Sequence, residues 1–134
     1  MRIVWKNFPL DMHQNAMSAH LAAAAAAKQG KFWEFHDKVF ANQQQLNLDA
    51  YKRYAKELGM DVARFEKDLA DPETKKAVDA DKAEAQSLGL TGTPGFFVNG
   101  RFLSGAKPFD EFAKAINAEL ARLNLPAPPG TPTS

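Results

Sequence analysis

Thiol chemistry is closed to this chain, because its 134 residues include no cysteine. Disulfides, thiolate metal sites and a cysteine nucleophile are all excluded. The three histidines are the next candidates. His13 follows Pro9, while His20 and His36 fall on separate helical stretches. No two stand at the i, i+4 spacing of a helical ligand pair, and no Asp or Glu cluster joins them, so no metal site is expected. His36 lies on an apolar helix face and reads as a packed residue with one hydrogen bond. Ser18, Ser87 and Ser104 are isolated hydroxyls with no base at hand, which leaves no catalytic residue and no cofactor to name. A phosphate loop is excluded too, since "GLTGTPG" leads into a strand and not a helix. What remains is "GTPGFFVNG", residues 92–100. A Thr-Pro step runs into an apolar stretch that stops at Asn-Gly, a turn feeding a hairpin placed to present something.

The surrounding elements must hold that turn. "RIVWKNF" carries Ile3, Val4, Trp5 and Phe8 on both faces, which reads as a strand buried on both sides and ended by Pro9. Asn15 to Gln29 is predicted as a helix. It contains six consecutive alanines, Ala22–Ala27, and Gly30 stops it. In "KFWEFHDKVFANQQQ", Phe32, Phe35, His36, Val39 and Phe40 share one helix face, so the aromatic run reads as packing. Further helices are expected from Leu48 to Leu58 with Asp49 as N-cap, from Asp61 to about Ala70, and from Asp71-Pro72 to Leu88. "KKAVDADKAEAQ" reads as a solvated helix face with i, i+4 ion pairs. Phe96–Val98 and Arg101–Ser104 form the hairpin. A last helix begins at Pro108, with Phe109, Phe112, Ala113, Ile116 and Leu120 inward. The closing "PAPPGTPTS" should be extended or disordered.

Composition bounds the partners. Seventeen basic and sixteen acidic side chains nearly cancel, which gives no footprint for nucleic acid or an anionic membrane. The longest apolar run, Leu21 to Ala27, is too short for a membrane span. "MRIVWKNFPL" is not a signal peptide, so the chain as written is expected in the cytoplasm.

In order and spacing, "VWKNFPL", "AAAAAAKQGKFWEFHDKVFANQQ", "AKELGMD" and "LGLTGTPGFFVNGRFLSGAKPFDEF" resemble the DsbA-like thioredoxin-fold proteins over residues 2 to about 123. Those are periplasmic or extracytoplasmic thiol–disulfide oxidoreductases with a helical insertion in a thioredoxin core. The resemblance implies an α/β fold over residues 1–124, with the insertion at about 14–89 and a flexible tail at 125–134. It implies a cis Thr93–Pro94 bond and a peptide-binding site at Thr93, Pro94 and Gly95, where an extended polypeptide docks as an added strand. Gly95 departs from the threonine or other small residue common there, and should loosen the loop.

The resemblance also implies a first strand and first helix, with C-x-x-C, ahead of "RIVWKNF". The chain is therefore read as lacking that catalytic segment, with an incomplete sheet missing its first strand. The open slot is expected to be filled by a second copy, giving a homodimer through the incomplete sheet with possible domain swapping. A fragment from a longer gene product, and a shift of "RIVWKNF" onto "FFVNG", are the alternatives. On function the leading reading is an oxidoreductase-family domain that is redox-inactive as this chain. A non-redox peptide-binding or chaperone-like module is the alternative, and an isomerase or glutathione-linked transferase of the same fold is a third. If the chain is a fragment, the resemblance implies an extracytoplasmic location.

Overall fold

The computed structural model describes residues 1–130. They form two compact units that meet at Gly89–Leu90 in the sequence.

The first unit, from Met1 to Gly89, is helical: α1 (Ala16–Ala27), α2 (Phe32–Ala41), α3 (Leu48–Glu57), α4 (Val62–Ala70) and α5 (Pro72–Ser87). The alanine run makes α1 thin and apolar on every side, so α2, α4 and α5 can all pack against it. Ala22, Ala25 and Ala26 are buried there with Phe35, Tyr51, Tyr54 and Phe65. Phe35 stands at the centre, its ring 5.6 Å from Phe65 and 6.2 Å from both tyrosines. The helices stop and start on local signals. Gly59 has φ +71°, and Met60 N–H turns back to the Ala55 carbonyl at 2.9 Å, closing α3. Asp61 accepts from Arg64 N–H at 2.9 Å, and Asp71 accepts from Glu73 N–H at 3.0 Å ahead of Pro72. The cap of α3 is Asn47, whose Oδ1 accepts from Ala50 N–H at 2.9 Å; Asp49 lies inside the first turn.

The expected strand at residues 2–8 does not form. A strand is defined by its ladder, and this segment has none among the described residues. Ile3 and Val4 are exposed, while Phe8 and Pro9 are buried. Side chains tether the segment instead. Asn7 N–H and Nδ2 both donate to Asp81 Oδ2, at 3.0 and 2.8 Å, and Lys6 Nζ reaches Glu84 at 2.7 Å.

The second unit begins at Leu90. It contains β1 (Gly95–Val98), β2 (Arg101–Ser104) and α6 (Phe109–Arg122). Among the described residues the sheet is this antiparallel hairpin alone, not the three strands the sequence suggests. Asn99 and Gly100 both take positive φ, +50° and +87°, the two-residue turn that matches strand twist. Phe96 packs edge-on against Phe112 of α6 at 4.7 Å. Ala113 is buried and Phe112 and Ile116 are half-buried as their spacing predicts, but Phe109 is exposed at the first turn. Residues 125–130 have no regular structure and are exposed; the rest of the expected tail, 131–134, lies outside the described residues.

Candidate functional site

The Thr93–Pro94 bond is cis, and both residues are exposed. Gly105 N–H donates to the Pro94 carbonyl at 2.9 Å, carrying the ladder one pair beyond the strands. The register pairs Gly95 with Ser104, Phe96 with Leu103, Phe97 with Phe102, and Val98 with Arg101. Hydrogen-bonded and non-hydrogen-bonded pairs alternate in an antiparallel ladder. The 94–105 bond therefore places 96–103 and 98–101 in the bonded class. The N–H and C=O of Gly95 and Phe97 then point away from β2, along the free edge of β1. Thr93 continues that series, and its backbone groups take no hydrogen bond among the described residues. The edge offers donors and acceptors at alternate residues, which is the pattern an added strand needs.

The two faces of the hairpin differ. Phe96, Val98 and Leu103 lie on the side of Phe112. Gly95, Phe97 and Phe102 lie on the other, with the Phe97 and Phe102 rings 5.1 Å apart and both exposed. The space left by the missing side chain of Gly95 is not empty. A Cβ there would sit 2.6 Å from Leu90 Cδ2 and 3.4 Å from Phe102 Cε2, so Leu90 already fills the space of a residue-95 side chain. Thr93, Pro94 and Gly95 are thus brought together as one loop, with Leu90 as a fourth member. Nothing in the residue pattern marks Leu90; only the folded loop places it over the glycine.

Four of the other candidates, Ser18, Ser87, His20 and His36, are engaged elsewhere. Ser18 Oγ lies 3.2 Å from Tyr51 Oη, and Ser87 Oγ donates to the Glu84 carbonyl at 2.7 Å. His20 Nδ1 is 2.9 Å from Asn7 Oδ1. Asn7 Nδ2 already donates to Asp81, so its Oδ1 faces His20 as an acceptor and the Nδ1 tautomer carries the proton. Burial lowers the His20 pKa from its ordinary value, against the opposing pull of Asp81. His36 has Nδ1 2.9 Å from Asp37 Oδ1 and is surrounded by Trp5, Phe32, Trp33 and Phe40 at ring separations of 4.5–6.0 Å. Phe35 from the same helix is buried, but Trp33 and Phe40 are exposed, so packing explains part of the aromatic run. No group of three His, Asp or Glu side chains among the described residues could hold a metal ion. No helix among them is long and apolar enough to cross a membrane.

Comparison with known proteins agrees with this architecture. A thioredoxin-like oxidoreductase from Silicibacter pomeroyi superposes with a TM-score of 0.76 at 29% identity, over 90% of this chain and 68% of that one. A protein of Salinispora tropica named Na(+)/H(+) antiporter NhaA 3 is 39% identical over 126 residues, or 93% of this chain and 19% of its own length. One of Herminiimonas arsenicoxydans, named Na(+)/H(+) antiporter NhaA, is 42% identical over 106 residues, 79% of this chain and 17% of its own. The chain spans about a fifth of the length of these curated relatives. Residues 2–117 match the DSBA-like thioredoxin domain, and the chain therefore belongs to the DSBA-like thioredoxin domain family.

Proposed function

We propose that this chain is a domain of the protein thiol–disulfide oxidoreductase type that performs no redox step by itself and retains the family's hold on extended polypeptide. The first half rests on chemistry. With no cysteine in the sequence, no side chain can form a mixed disulfide or carry two electrons between thiols. The second half rests on the free backbone groups of Thr93, exposed at the end of an open strand edge. An incoming peptide donates its N–H to the Thr93 carbonyl and accepts from the Thr93 N–H, while Pro94 is pinned by Gly105. Those are main-chain bonds, so they hold many sequences alike.

With no peptide docked, the same edge at Gly95 and Phe97 is open to pairing with another strand. We propose that a second copy of the chain supplies that strand and makes a homodimer; light scattering that returns one chain's mass at high concentration refutes this part. The domain's family chemistry belongs to an oxidising, extracytoplasmic compartment. Ion exchange, which the relatives' names describe, is not assigned to it, because none of its described helices can span a membrane.

The test is a titration of a labelled extended peptide. Binding should survive Thr93→Ala, which keeps the backbone N–H, and be lost in Thr93→Pro, which removes it. Folded wild-type protein that binds no peptide sinks the reading. Insulin reduction should stay at the uncatalysed rate; catalysis by the purified chain would contradict the redox half.

A further inference from the structure

We propose that Leu90 sets which peptide side chain the Thr93–Pro94 loop accepts, favouring an apolar residue and rejecting a charged one. This inference rests on the docking reading above and deepens it. In a strand that begins at residue 95, the side chain of that residue would be the first surface beside the docked backbone. Here residue 95 has none. Leu90 Cδ2 lies 2.6 Å from where its Cβ would stand, so the isobutyl group of a residue five positions earlier supplies that surface. Leu90 is half-buried, which leaves part of it open. Phe102 Cε2, 3.4 Å from the same point, extends the apolar ledge, and its ring is exposed.

Charge points the same way. From Ala85 to Gly100 no residue is charged. A peptide side chain entering over Gly95 meets the methyl groups of Leu90 and the ring edge of Phe102, and residues 85–100 carry no counter-ion to receive it. A carboxylate or ammonium placed there loses hydration and gains nothing in return. A phenylalanine or leucine covers the ledge, and covering part of one such side chain is worth about tenfold in affinity.

The test uses the full chain and two fluorescein-labelled heptapeptides of glycine and serine, one with a central phenylalanine and one with a central glutamate. Wild type should bind the phenylalanine peptide about tenfold tighter. Leu90→Ser should bring the two within about twofold, and Leu90→Met, which restores an apolar side chain, should recover the preference. Amide exchange of Phe96 and Val98 shows whether the hairpin is folded in each variant. If Leu90→Ser does not fold, Leu90→Thr gives the same comparison. A preference unchanged in the folded Leu90→Ser or Leu90→Thr protein overturns the role of Leu90 and leaves the docking reading standing. Folded wild type that binds neither peptide overturns the docking reading, and this inference with it.

Discussion

Replacing Gly95 with alanine puts a methyl group 2.6 Å from Leu90 Cδ2, well inside van der Waals contact. The φ of Gly95 is not in the left-handed region, so the backbone itself accepts alanine. Two effects then oppose each other. Alanine removes freedom from the unfolded chain and stabilises by ~0.4–1 kcal/mol. Leu90 must leave its rotamer or carry the loop with it, at ~0.5–1.5 kcal/mol. The single variant should therefore lie within about 1 kcal/mol of wild type, a poor diagnostic on its own. The double-mutant cycle is sharper. In a Leu90→Ala background nothing blocks the new methyl, and Gly95→Ala keeps only its favourable term. Leu90 and Gly95 should couple by about 1 kcal/mol, with Gly95→Ala better tolerated when Leu90 is gone. Hydrogen exchange of the Phe96 and Val98 amides, which bond across to β2, reads the hairpin's local stability directly. Coupling below ~0.3 kcal/mol, the usual scatter for independent sites, would refute the seating of Leu90 on Gly95.

Three further outcomes follow from the helical unit. Phe35→Ala empties a fully buried site between Phe65 and the two tyrosines, and should cost ~3–5 kcal/mol in urea unfolding. Asn47→Ala removes the acceptor for Ala50 N–H and should cost ~1 kcal/mol, whereas Asp49→Ala, inside the turn, should not reproduce that loss. His20 has a folded pKa lowered below 6.5 by burial, so as pH falls through that value the unfolded chain takes the proton first. Stability is complete above it and declines toward the folded pKa; the urea midpoint at pH 5 should be below that at pH 7.5, and His20→Gln should shrink the difference.

The helices were legible because their signals are local. Six alanines, the Asp61 and Asp71 caps, Pro72 and Gly59 each act within a turn of themselves, and the Asn99–Gly100 turn needs only two residues. The cap of α3 lies two positions before the expected Asp49, because Asn47 and Asp49 are both good caps and only the backbone decides between them. Residues 2–8 fail differently. Their apolar content suits a strand, but a ladder requires a neighbour that the residue pattern cannot supply; the segment is held by Asn7 and Lys6 instead. Phe109 kept the right helical phase for the inner face, yet lies exposed at the first turn of α6. Within the candidate site, Thr93, Pro94 and Gly95 were visible as a motif. Leu90 was not, because a contact between residues five apart in a loop has no periodic signature.

Both tryptophans lie in one ring cluster, Trp5 and Trp33 with centroids 6.2 Å apart and each within 5.5 Å of His36. Both tyrosines, Tyr51 and Tyr54, sit in the same helical unit. The stretch from Leu90 onward contains neither residue type. Tyrosine and tryptophan emission from this protein therefore originates in residues 1–89, and no emitter of either type lies in the hairpin. Indole fluorescence carries no emitter from β1 or β2, so optical work on the loop needs a reporter placed there, such as p-cyanophenylalanine at Phe97 or Phe102.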